Sequence, residues 1–191
     1  MKVDTNMKNT VRNSLEYSGI VTISKYVGNK KVPLIQTHNT GSSSLFDFFA
    51  RCLIGDFESA PAFRPAKIML LQEQVNNDGT VVYHSVSPFI FLLTKPKQVY
   101  SNNGSRVLYS FMIHSDMFEN VTDFSSLVIG LYSNGIPDTT ADFSLFAAAC
   151  KVGLSSAALT SASLIVDWEL IIANGGTNVV DKDAEKTYNE E

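Results

Sequence analysis

Carboxylates, imidazoles, thiols and phenols are the groups in this chain able to move protons, hold metals or stack on a ligand. Asp167 and Glu169 stand two residues apart in the stretch LTSASLIVDWELIIAN, residues 159–174. On a strand such residues share a face at about 7 Å, a separation at which paired carboxylates hydrolyse glycosides. The same alternation is how a strand keeps its outer face wet, and no third group accompanies the pair. His38, His84 and His114 stand at no metal-binding spacing to one another or to a cysteine. Asp138, Asp142, Asp181 and Asp183 form an acidic group, but without the spaced loop that calcium requires. Cys52 and Cys150 each lie among apolar residues and read as buried, reduced thiols; no base or electropositive neighbour marks a nucleophile. Tyr83, Tyr100, Tyr109 and Tyr132 would form a sugar-stacking platform where exposed, and core packing where not. No catalytic, cofactor-binding or metal-binding residue is assigned, and the expectation is a protein that is not an enzyme and takes no cofactor.

Composition narrows the partners. The chain has 191 residues and a net charge of -4, with 45% hydrophobic and 18% charged residues. That length suits one domain with a core of its own. A small negative charge excludes the basic footprint of a general nucleic-acid binder. Two cysteines are too few for a disulfide framework. No apolar run approaches the ~20 residues of a membrane span, and the first seventeen residues lack the apolar core of a signal peptide. The expectation is a soluble product of a reducing compartment, with no membrane and no nucleic-acid partner.

The elements that would position these groups follow from periodicity. In the 159–174 stretch, Leu164, Val166, Trp168, Leu170 and Ile172 alternate with Ile165, Asp167, Glu169, Ile171 and Ala173, which predicts a central strand. Residues 1–17 read as a flexible, polar N-terminal arm. Residues 19–27 and 30–38 read as a hairpin around Gly28-Asn29, with Pro33 marking an edge or a bulge. Residues 38–57 predict an amphipathic helix, capped by Ser44 and stopped by Gly55, with Leu45, Phe46, Phe49, Cys52 and Leu53 on its apolar stripe and Phe48 widening it. That stripe packs on a sheet or docks into a neighbouring subunit. A proline-punctuated link covers 58–65. Strands follow at 66–74 and, past the NNDG turn, at 80–86. FIFLL (89–93) predicts a strand buried on both faces. Residues 95–105 read as loop or edge strand around an Asn-Gly turn, and 106–114 alternate cleanly. A loop with one helical turn covers 115–124, strands 125–133 and 143–152, and a loop or short turn GLSSAAL. Residues 175–191 read as a polar, acidic tail. About nine strands and one long helix give the expected fold: a mainly antiparallel β-sandwich over 18–174 with one amphipathic helix packed on it.

Within 38–174 the order of short motifs resembles a domain that recurs in tailed-bacteriophage tail, collar and fibre-associated proteins. The strand Leu127-Val128-Ile129-Gly130-Leu131-Tyr132 carries the glycine-leucine-aromatic step. Ser144-Leu145-Phe146-Ala147-Ala148 follows a variable loop, and Leu164 to Leu170 is the alternating strand with a central tryptophan. Asn39-Thr40-Gly41 stands before the helix, as in that family. Ser125-Ser126 replace its usual acidic residue. The resemblance implies a virion structural protein: an oligomeric adaptor or attachment component of the collar, tail or fibre, with other virion proteins and copies of itself as partners, assembled in the host cytoplasm. It transfers no functional residue. The aromatic-rich strands and turn-rich tips keep a second expectation open, a carbohydrate- or receptor-binding sandwich with a glycan as ligand.

Overall fold

The alternating stretch does become the middle of a sheet. In the computed structural model, which describes residues 15–41, 43–56, 58, 64–101, 104–135 and 146–174, strand β11 (Leu164–Asn174) pairs antiparallel with β1 (Leu15–Val27) and β8 (Gly104–Ile113). The hairpin partners β2 (Lys30–His38) and β7 (Lys97–Ser101) complete a first sheet, ordered β2-β1-β11-β8-β7. The second sheet is ordered β3-β10-β9-β4-β5. It contains β3 (Thr40–Gly41), β10 (Phe146–Lys151), β9 (Leu127–Ser133), β4 (Pro65–Val75) and β5 (Val81–Ser85), with β6 (Ile90–Phe91) also on β4. All these pairings are antiparallel. The fold is the expected mainly-β sandwich with a helix, built from eleven strands among the described residues rather than about nine.

Apolar faces of the two sheets meet in one core. From the first sheet come Val21, Ile23, Phe111, Val166 and Trp168, and from the second Ile68, Leu70, Ile129 and Leu131. Each such fully buried side chain contributes about 1.5–3 kcal/mol. The second sheet carries a smaller core on its other face, where Met69, Leu71, Phe89, Val128 and Tyr132 cluster. The Phe89 and Tyr132 rings meet edge to face, 5.1 Å between centroids at 76°. Lys67, buried on the same face, holds its ammonium 4.3 Å from the Phe89 centroid. A cation over a ring is one of the few settings in which a lysine enters an apolar cluster.

Local chemistry sets the edges. Gly28 takes a φ of 60° in the two-residue loop between Val27 and Lys30. Pro33 sits on edge strand β2 at a bulge: Ile23 pairs with Ile35 and Ser24 with Pro33, so Leu34 is the extra residue and turns into the core. A proline without an amide proton costs nothing there. At the β4–β5 turn, Asp78 Oδ1 accepts from the Thr80 amide at 2.9 Å and the Thr80 hydroxyl at 2.6 Å.

Three segments depart from expectation. The predicted 38–57 helix is shorter: α1 spans Ser43–Ile54, with β3 before it, so Ser44 lies inside the helix rather than at its cap. Its end is as predicted. Gly55 N–H donates to Cys52 O and Asp56 N–H to Arg51 O, the paired bonds of a glycine-terminated helix. FIFLL is not a strand buried on both faces. Ile90 and Phe91 pair with Ile68 and Lys67 of the second sheet, whereas Leu92 bridges Phe111 and Leu93 N–H reaches Ser110 O in the first. The segment crosses between sheets, which leaves Phe91 and Leu93 about half exposed. An unbroken apolar run cannot reveal this, because it reads alike for a doubly buried strand and for a seam between two sheets. GLSSAAL ends in a one-turn helix, α2 (Ser156–Thr160), capped by Ser155. The arm before residue 15, most of the 58–65 link, residues 136–145 and the tail from 175 lie outside the described residues.

Candidate functional site

Asp167 and Glu169 share the outer face of β11, as the alternation requires, but each is engaged. Asp167 accepts from the Ser110 hydroxyl at 2.8 Å and pairs with the Lys31 ammonium. Glu169 pairs with Arg106 at 3.4 Å. Ser110 and Arg106 lie on the adjacent strand β8, and Lys31 lies on β2, beyond β1, so the pair ties β2, β11 and β8 of one sheet together. Neither carboxylate lines the two pockets described below.

The other candidates disperse. His38, His84 and His114 are all exposed. His84 contacts Gln74 Oε1 at 2.9 Å and His114 contacts Ser163 Oγ at 3.3 Å. Among the described residues no three His, Cys, Asp or Glu side chains converge as a metal site. Asp138, Asp142, Asp181 and Asp183 lie outside the described residues. Cys150 is buried, and burial pushes its thiol up to about 12. Cys52, expected to be buried, is half-buried on α1. The tyrosine platform does not assemble. Tyr109 and Tyr132 are core residues, and burial raises both phenols, Tyr109 to about 12. Tyr83 is half-buried, and the side chain of Tyr100 lies outside the described residues.

Two surface features stand out instead. The first is α1. Leu45 is fully buried, Phe49 packs against the core, and Phe48 and Cys52 are half-buried. Phe46, Leu53 and Ile54 are 54%, 80% and 78% exposed. With exposed Ala50 they fall at i, i+4, i+7 and i+8, a second apolar stripe turned to solvent. Phe46 and Leu53 therefore lie off the buried stripe on which helical spacing places them. Helical spacing alone cannot tell two adjacent apolar faces from one broad one.

The second feature is a cleft of about 760 Å³ where α1 meets the inter-sheet crossing. Phe48, Leu92, Leu93 and Pro96 give it apolar walls, and Arg64, Thr94, Lys95 and Tyr109 supply its polar groups. Neither cation was singled out in the sequence, where Arg64 sits in a link and Lys95 in a loop, and only tertiary structure brings them together. A smaller pocket of about 330 Å³ lies near His84 and Asp123. Asp123 is held below the usual carboxylate range by the Ser125 hydroxyl at 2.6 Å and the Ser125 amide at 2.9 Å.

No family model, no curated protein and no solved structure matches this chain.

Proposed function

We propose that this chain is a non-enzymatic structural component of a tailed-bacteriophage particle, an oligomeric adaptor or attachment protein of the collar, tail or fibre. The observation that carries the assembly half of the reading is the solvent-facing stripe of α1. A lone domain gains nothing from leaving Leu53 and Ile54 in water beside the half-exposed Phe46, whereas exposed apolar patches mark protein contacts. The phage half rests on the motif order, whose parts lie in consecutive core strands: the glycine-leucine-tyrosine step in β9, Phe146-Ala147-Ala148 in β10 and Trp168 in β11. The engagement of Asp167 and Glu169 in strand-tying pairs fits a protein that works by assembly.

Of the four tyrosines behind the glycan-binding alternative, Tyr109 and Tyr132 serve the core. Mass spectrometry of purified particles from the host culture tests the proposal. The protein is expected among the virion components at a fixed ratio to the other structural proteins. Its presence in infected cells but absence from particles would overturn the assignment.

A further inference from the structure

We propose that the cleft between α1 and the 92–96 crossing binds a small organic carboxylate with an apolar body. Its volume, about 760 Å³, falls within the range of small-molecule sites, which pair mostly apolar walls with a few convergent polar groups. The walls suit an aliphatic or aromatic body: Leu93 is 48% exposed yet held in place by its backbone bond to Ser110.

The polar groups suit an anion. Arg64 and Lys95 form no ion pair with any described residue, and no carboxylate is among the described residues that line the cleft. Tyr109 is only 6% exposed overall, and it lines the cavity. Arg64 lies close enough for its charge to act on that phenol. One guanidinium fork, one ammonium and one phenolic donor match the planar, two-oxygen acceptor of a carboxylate. A free small molecule fits better than an extended peptide. The backbone bonds of Leu92 and Leu93 to Phe111 and Ser110 already occupy the strand edge on which a peptide would pair.

This site is independent of the assembly reading, and its test uses the soluble full-length chain rather than particles. The chain is titrated with 4-phenylbutyrate and with the matched neutral 4-phenylbutanol, by calorimetry and by tryptophan emission. The only tryptophan, Trp168, is the direct register partner of Tyr109. Saturable binding of the acid, at least about tenfold tighter than the alcohol and weakened by added salt, is expected. Arg64→Ala and Lys95→Ala, both at exposed positions, should each weaken the acid and leave the alcohol unchanged. Tyr109→Phe should weaken the acid several-fold with thermal stability retained. Equal affinity for acid and alcohol, no binding at millimolar acid, or unaltered acid binding by Arg64→Ala would each overturn the proposal. So would a capped Tyr-Glu dipeptide that binds where 4-phenylbutyrate does not.

Discussion

The Tyr132 ring lies across Gly130: a Cβ added at Gly130 would stand 2.8 Å from Tyr132 Cε2 and 3.1 Å from Leu71 Cδ1. The glycine in this all-buried strand is therefore the floor on which the ring rests. Gly130→Ala should destabilise the fold by about 1–3 kcal/mol through overpacking, more than the entropy gain of removing a glycine from the unfolded chain. Urea denaturation checks this. A neutral or stabilised variant would mean that the ring shifts freely.

Trp168 is completely buried, opposite Tyr109, and its indole N–H has no acceptor among the described residues. The residue therefore acts through volume. Trp168→Ala should cost about 3–5 kcal/mol. Trp168→Phe should cost clearly less, since no hydrogen bond is lost with the indole. Equal losses in guanidinium denaturation would show that the N–H matters after all.

The outward stripe of α1 is self-complementary on the proposed assembly reading. In an antiparallel pair of helices related by a two-fold axis at Ala50, Phe46 meets Ile54 of the second copy, and the small alanine lets the backbones approach. The same flanks also meet, which brings exposed Asp47 to Arg51 of the second copy. Arg51 already donates to Asp56 at 2.8 Å, and its guanidinium has further donors. Asp47→Arg and Arg51→Asp should each weaken self-association, while a mixture of the two should associate because opposite charges then face each other at both positions. Sedimentation velocity of each variant and of the mixture decides it. A mixture no more associated than its components would exclude this pairing.

Alkali should weaken the fold through groups whose protonated form it favours. Burial raises Cys150 from 9.0 to about 12 and Tyr109 from 10.0 to about 12. Each contributes stability that is full below its unfolded value and is lost as pH rises through the folded one. The denaturation midpoint should therefore fall between about pH 9 and 12, and Cys150→Ala should flatten the early part of that fall. At the acid end the sign reverses. Asp78 and Asp123 are lowered from 3.8, chiefly by the Thr80 and Ser125 hydroxyls. Their turns should hold above 3.8 and loosen as pH drops through the depressed values, seen as faster exchange of the Thr80 and Ser125 amides.

What could be read beforehand was whatever rests on local pattern. Alternation placed β8 and β11, Gly28 and Gly79 marked their turns through positive φ, and Pro33 marked its edge bulge. What could not be read depends on which neighbour a face meets. FIFLL was apolar enough for a doubly buried strand, but its ladder partners change from Ile68 to Phe111 within three residues. Tyr109 had the pattern of a core residue and the chemistry of a surface one, and periodicity alone did not choose. Arg64 and Lys95 are 31 residues apart in sequence, and neither has a periodic context to announce that they line one cavity.

The central strand of the first sheet, β11, is also the last described strand of the chain, and its neighbours are the first strand and the eighth. During synthesis β1 emerges early and waits, with its apolar edge unpaired, until residues 164–174 leave the ribosome. The second sheet has all its strands by residue 151 and can associate earlier. The sandwich therefore closes late and through contacts distant in sequence, a topology that folds slowly and exposes an aggregation-prone edge in the interval. Co-expression with a chaperone that shields nascent strands should raise the soluble yield.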